Sequence, residues 1–141
     1  MIVGIGVDIA DIARLDAALR RTPGLAERLF AESERRGQAG QAAAGPGLER
    51  RDVDDRGVDA AVPTATLAGC FAAKEATAKA LGGPKGLRWT DAIVAHDSLG
   101  RPLLKVRGTV AEAADRLGVA TWHLSISHDG GVCIAMVVAE R

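Results

Sequence analysis

Four charged side chains stand out in a chain whose apolar mass is otherwise small and aliphatic. Asp8 closes the opening run Met1-Ile2-Val3-Gly4-Ile5-Gly6-Val7, and Lys74, Glu75 and Lys79 sit in Phe71-Ala72-Ala73-Lys74-Glu75-Ala76-Thr77-Ala78-Lys79-Ala80-Leu81-Gly82. Near the C-terminus, His128 and Asp129 add two more groups able to carry a proton. Magnesium prefers an octahedron of hard oxygens and takes one or two protein carboxylates, with phosphate oxygens and waters completing the shell. Lysines beside such a pair carry further phosphate charge. Asp8 and Glu75 with Lys74 and Lys79 therefore point to a magnesium-dependent site for a phosphorylated ligand.

The element that must position three of these charges is a helix. Leu67, Cys70, Phe71, Lys74, Ala78 and Leu81 share one face at i, i+3, i+4 spacing, and alanines cover most of the rest. A helix apolar all round belongs in a core. Gly82-Gly83-Pro84 ends it, glycine taking a left-handed cap and proline being unable to continue the ladder. The ordinary reading of Glu75 and Lys79 is a surface i, i+4 pair of roughly 0.2–0.5 kcal/mol. An alanine-rich helix has no solvated face that needs such a pair, and charges that are expensive to bury are kept where they bind something. Asp8 has no structural duty either, because Asp11 is the better N-cap for the helix that follows.

Composition narrows the partners. The 141 residues form one domain, 1–141, long enough to remove roughly two-thirds of the unfolded surface from water. Eighteen basic and eighteen acidic residues cancel, so no overall field draws the chain to nucleic acid or membrane. Aromatic content of 3% argues against base-stacking platforms. Cys70 and Cys133 lack zinc-ligand spacing and, as free thiols, suit a reducing cytoplasm. The opening run has no basic lead, and no segment reaches ~20 apolar residues, so neither a signal peptide nor a membrane span is expected.

In chain order, residues 1–9 read as a strand buried on both faces, and 11–21 as a helix whose outer side carries Arg14, Arg20 and Arg21. That basic side is either a solvated face or a dock for an acidic partner. A further short helix begins at Leu25 and ends near Ser33-Glu34. Residues 35–66, with scattered glycines, prolines and a charged run, read as a long flexible loop inserted in the domain. Residues 92–96 and 103–106 form a hairpin around Gly100-Arg101-Pro102, and Thr109 with Glu112 forms a capping box for a helix ending at Gly118. The alternation in Trp122-His123-Leu124-Ser125-Ile126-Ser127-His128, the Asp129-Gly130-Gly131 turn and an apolar return strand make the final hairpin. The expected class is α+β, a mainly antiparallel sheet packed on the long central helix.

Four ordered motifs then carry a resemblance. Ile2-Val3-Gly4-Ile5-Gly6-Val7-Asp8-Ile9 with Ala13-Arg14, the Phe71–Gly82 core, Gly100-Arg101-Pro102, and Trp122 to Asp129 together resemble the holo-acyl carrier protein synthases, small single-repeat phosphopantetheinyl transferases. The resemblance implies that family's fold and reaction: 4'-phosphopantetheine passes from coenzyme A to a serine of an apo acyl carrier protein, releasing adenosine 3',5'-bisphosphate. It implies a homotrimer with sites between subunits. Asp8 and Glu75 would hold Mg2+, and Lys74, Lys79 and Gly82 would meet coenzyme A. Arg101 and Pro102 with Ser127 and His128, from a neighbouring subunit, would clasp the nucleotide. Arg14 and Arg21 would meet an acidic helix of the carrier protein. A water oriented by Glu75, His128, or Asp129 is the base for the serine proton, and the sequence does not choose. His123 reads as structural. Where the family carries arginine before Phe-Ala-Ala-Lys-Glu-Ala, this chain has Cys70, which supports an alternative: a homologue that binds coenzyme A or carrier protein without efficient transfer.

Overall fold

The structure is a computed structural model and describes residues 1–36 and 62–141. Its elements run β1 (Ile2–Asp11), α1 (Ile12–Arg21), α2 (Leu25–Leu29), α3 (Glu32–Arg35), α4 (Thr64–Ala80), a 3-10 turn (Trp89–Asp91), β2 (Ala92–His96), β3 (Pro102–Val106), α5 (Gly108–Leu117), β4 (Thr121–Asp129) and β5 (Val132–Glu140). The α+β class is as expected.

Helix α4 is the centre. Its alanines cost nothing in side-chain entropy and leave almost no volume between the helix and its neighbours. Ala68, Ala72, Ala73 and Ala76 are completely buried. The helix ends as its glycines dictate: Gly82 and Gly83 have φ of 80° and 69°. The Gly83 amide turns back to the Ala78 carbonyl at 2.8 Å, satisfying one of the last orphan acceptors.

A three-stranded antiparallel sheet, in the order β1-β5-β4, lies on α4, and β2 and β3 form a separate hairpin. The approach of β1 to α4 is main chain to main chain. A Cβ at Gly4 would stand 1.9 Å from the Ala80 carbonyl oxygen, and one at Gly6 would stand 1.9 Å from that of Ala76. No residue but glycine fits at either position.

The sheet corrects one expectation. Strands β1 and β5 are buried on one face only: Cys133, Ala135, Val137 and Ala139 face α4 at 0% exposure, while Ile5 and Ile9 are 58% and 62% exposed. Val7, Val132, Ile134 and Met136 share that outer face. Both faces are apolar, which is why the sequence reads as a continuous run, but the described residues supply a layer for only one of them. Strand β1 also runs past Asp8, which pairs with Ala135, as far as Asp11.

Two local readings change with it. The helix expected from Leu25 is two short ones, because Phe30 is extended and buries its ring. Thr109 makes no capping box: α5 starts at Gly108, and the Thr109 amide and hydroxyl both donate to Asp91 Oδ2, at 2.9 and 2.8 Å. The hydroxyl expected at its own helix end is taken by a neighbour's carboxylate. The loop expected over 35–66 lies, for 37–61, outside the described residues, while Arg35 ends α3 and Thr64 opens α4. Elsewhere Asp11 caps α1 through the Arg14 amide at 2.8 Å, and Gly118 ends α5 at φ 69°, both as expected. The final hairpin turns through Gly130 and Gly131 at φ of 56° and 82°, the pair of positive φ values that a tight two-residue turn requires.

Candidate active site

The glycine contacts fix where Asp8 arrives. Gly4, Gly6 and Asp8 share the inner face of β1 at period two; Gly4 lies over Ala80 and Gly6 over Ala76. The next inward position therefore reaches the Glu75 and Lys79 flank of α4. Lys79 Nζ donates to Asp8 Oδ1 at 2.7 Å and to the Val7 carbonyl at 2.9 Å. The ordinary i, i+4 reading, a Glu75–Lys79 pair, gives way to a Lys79–Asp8 pair across two elements. Burial raises the Glu75 carboxyl above its ordinary range, the Asp8 charge raises it further, and Lys79 pulls it partly back. Two carboxylates share one ammonium, so the corner carries excess negative charge.

That corner rims a cleft of about 640 Å³. Asp11 and Arg14 complete the rim, and Leu15, Leu25, Leu29, Phe71 and Trp89 form apolar walls. The Phe71 and Trp89 rings lie 6.1 Å apart. Among the described residues no three metal-ligating side chains cluster. Asp8 and Glu75 fit magnesium all the same: both offer hard oxygens, they are close enough for one charge to perturb the other, and the open cleft leaves room for ligand oxygens and water. Arg14 and Arg21 are exposed, seven residues apart on α1, and among the described residues neither has an ion-pair partner.

Lys74 is a correction. Expected at a phosphate, it points the other way and is fully buried. Its Nζ lies 2.9 Å from Glu34 Oε2 and donates to the carbonyls of Trp89, at 3.0 Å, and Ala92. Three donors meet three acceptors, so none is left for a ligand. Burial pulls the Lys74 ammonium below its usual range, and Glu34 opposes the shift. Glu34 in turn accepts the Ala31 amide at 2.8 Å and the Val94 amide at 2.9 Å. The pair ties α3, α4, the 3-10 turn and β2 together. Gly82 serves the end of α4 and lines neither cleft.

The remaining predicted residues gather elsewhere. Gly100, Pro102, His96 and His128 line a second cleft of about 270 Å³, with Cys70 and Cys133 in its wall. Asp97 organises the β2–β3 loop, accepting the Leu99 and Arg101 amides at 2.8 and 2.9 Å and Arg101 Nε at 2.7 Å. Those bonds, the Arg101 amide first, hold its carboxyl below the ordinary range. Arg101 is thereby anchored at one nitrogen with its side chain 73% exposed. Ser127 points to the outer face of β4, and Asp129 Oδ1 accepts the Gly130 amide at 2.8 Å. His123 bonds Glu140 at 2.8 Å, the structural role expected of it. The two clefts share no lining residue, since β5 separates β1 from β4. Within one chain, then, Asp8, Glu75, Lys79 and Arg14 come together, and His128 and Pro102 do not join them.

Sequence reasoning missed Glu34, Asp97, Trp89 and the glycine pair. Gly-x-Gly inside a strand was a usable signal, since such glycines mark close backbone approach. Glu34 gave none, its partner being forty residues away.

Comparison with known proteins shows the family. The profile of the 4'-phosphopantetheinyl transferase superfamily matches residues 4–137. The chain is 52% identical to the holo-[acyl-carrier-protein] synthase of Streptomyces coelicolor, over 99% of this chain and 98% of that one. The fold is similar to the crystal structure of the Neisseria meningitidis synthase, at a TM-score of 0.73 and 28% identity over 100% of both chains. It is also similar to the Bacillus anthracis synthase in complex with CoA (3',5'-ADP), at 0.67 and 32% identity over 99% of this chain and 96% of that one. With the profile spanning nearly the whole chain and a synthase matching half its residues, the chain belongs to the 4'-phosphopantetheinyl transferase superfamily, among the holo-acyl carrier protein synthases.

Proposed function

We propose that the Asp8–Glu75–Lys79 corner is where this chain performs its family's reaction. The chain is a phosphopantetheinyl transferase: it moves 4'-phosphopantetheine from coenzyme A to a serine hydroxyl of an apo acyl carrier protein. A bond forms between the serine oxygen and the phosphorus nearer pantetheine, the bridging oxygen leaves, and adenosine 3',5'-bisphosphate is the other product. The observation that carries the assignment is the meeting of two carboxylates and one half-exposed ammonium at the rim of an open cleft.

Asp8 and Glu75 are the residues that would hold Mg2+, which when bound supplies charge neutralisation at the pyrophosphate. Lys79, 53% exposed on a flexible stem, reaches the phosphate chain. Phe71 and Trp89 keep water from one side of the reacting groups. Of the candidate bases, Glu75 is the one in the corner, where it would orient a water to take the serine proton. Asp129 is engaged in its turn, and His128 from a neighbouring copy is the competing acceptor. Arg14 and Arg21 meet an acidic helix of the carrier protein, which docks the serine in line.

The second cleft, lined by Pro102 and His128 with Arg101 next to Pro102 in the loop, clasps the nucleotide of coenzyme A held in a neighbour's corner, whereas Ser127, on the other face of β4, does not line it. A homotrimer brings the two clefts together. The aliphatic outer face of β1 and β5 supports this, because it is an apolar surface that the described residues leave exposed. Two buried free thiols fit a reducing cytoplasm. Among the described residues no helix is long and apolar enough to cross a membrane. Cys70 favours a second reading: it puts a neutral, buried thiol in the wall where the pattern the sequence resembles has arginine, so a binder that transfers poorly is the alternative.

The test is incubation with coenzyme A, Mg2+ and apo acyl carrier protein, followed by intact mass measurement of the carrier. A phosphopantetheine adduct that disappears with chelator supports the transferase. A folded chain that yields no adduct across several carriers supports the binder.

A further inference from the structure

We propose that Lys79 is a latch on Asp8: in the chain without ligand its ammonium holds the carboxylate a divalent cation would use, so the cation enters only with a diphosphate that draws Lys79 away. The inference rests on the reading of Asp8 and Glu75 as cation ligands.

Lys79 Nζ is bound twice, to Asp8 Oδ1 at 2.7 Å and to the Val7 carbonyl at 2.9 Å. Asp8 is only 17% exposed, so its carboxylate is approached from few directions, and Lys79 occupies one of them. An ammonium in hydrogen-bond contact with that oxygen repels a doubly charged ion arriving at the same group. The lysine is nevertheless free to leave. Its side chain is 53% exposed, and the stem needs only rotamer changes to swing over the cleft. The charged groups facing it there are Asp8 and Asp11 from β1, Arg14 from α1 and Glu75 from α4. Of these, only Asp8 takes a hydrogen bond from it. A diphosphate laid along the rim offers Lys79 new anionic oxygens and frees Asp8 in the same movement. Cation and diphosphate then assist each other by the same factor, as reciprocal linkage requires. Lys74 cannot act this way, since its three donors are filled inside the fold.

Binding of Mn2+, followed through the electron paramagnetic signal of the free ion, tests this without any turnover. Wild-type chain, Lys79→Met and Asp8→Asn/Lys79→Met are titrated with Mn2+ alone and with Mn2+ plus coenzyme A, each first shown to be folded by its unfolding curve. The expected result is weak binding of Mn2+ alone to wild type, about tenfold tighter binding to Lys79→Met, and a smaller gain from coenzyme A in that variant. Equal affinity of wild type and Lys79→Met for Mn2+ alone overturns the latch. If Lys79→Met gains affinity and Asp8→Asn/Lys79→Met keeps it, the cation sits elsewhere and the reading of Asp8 as its ligand is what fails.

Discussion

Helix α4 carries two lysines five residues apart, and the corners around them behave as opposites. At Lys74, one carboxylate and two carbonyls fill every donor, the remaining oxygen of Glu34 holds an amide of β2, and nothing is open to water. At Lys79, one ammonium faces two carboxylates at the rim of a cleft, and one of those carboxyls is held above its ordinary range. Burial and saturation make the first corner a structural pin. Excess charge and an open side make the second a place for a ligand. Residue type and helix are the same; what separates the roles is the count of partners and the access of water.

The comparison breaks most visibly at Glu34. Glu34→Ala leaves a buried ammonium without its counter-charge and costs about 3–5 kcal/mol in urea unfolding, whereas Glu34→Leu with Lys74→Met is close to neutral. A single substitution costing under about 1 kcal/mol would show that Lys74 is no pin. Glu75→Ala is the complementary experiment. It lowers kcat/KM by about 10²–10³, or roughly 2.7–4 kcal/mol, by analogy with the loss of one transition-state contact. The unfolding midpoint stays level or rises, since the fold disfavours the ionised Glu75 that alanine removes. Equal losses of stability and rate would merge the two corners into one. Gly6→Ala sharpens the contrast by moving an element instead of a charge. Its Cβ would meet a helix carbonyl at 1.9 Å, so β1 lifts off α4, at about 1–3 kcal/mol of stability together with a lower rate, because Asp8 moves with the strand. The smallest effect lies at Cys70. Burial pushes its thiol from 9.0 up to about 12, so the folded chain keeps a proton that the unfolded chain loses near pH 9. Stability therefore falls as pH rises from about 9 towards 12, and at pH 8 iodoacetamide leaves Cys70 unmodified in the native chain. Rapid native-state alkylation would contradict its burial.

Much of this was legible in local pattern. The end of α4 followed from the Gly82-Gly83 stop, though its start at Thr64 lies inside the expected loop; the last hairpin followed from its alternation and the α1 cap from Asp11. What local pattern could not reveal was which lysine faces which carboxylate. Lys74 and Lys79 lie on the same helix, and their partners, Glu34 and Asp8, come from distant stretches of chain. Thr109 spelled a capping box and was claimed by Asp91 from another element. The β1 run read as doubly buried because hydrophobicity reports that a face is apolar, and not whether anything in the same chain covers it.

The glycine pair of β1 also settles which parts of the molecule are free to drift over evolutionary time. Where two elements are spaced by interlocking side chains, every exchange in the layer between them shifts the distance, and a site bridging them inherits the error. Here carbonyls of α4 touch the backbone of β1, so the spacing between the carriers of Asp8 and Glu75 is a property of bare main chain. Surrounding aliphatic positions can trade size and shape across descendants while that gauge stays fixed. Only two positions, 4 and 6, are denied any variation by it.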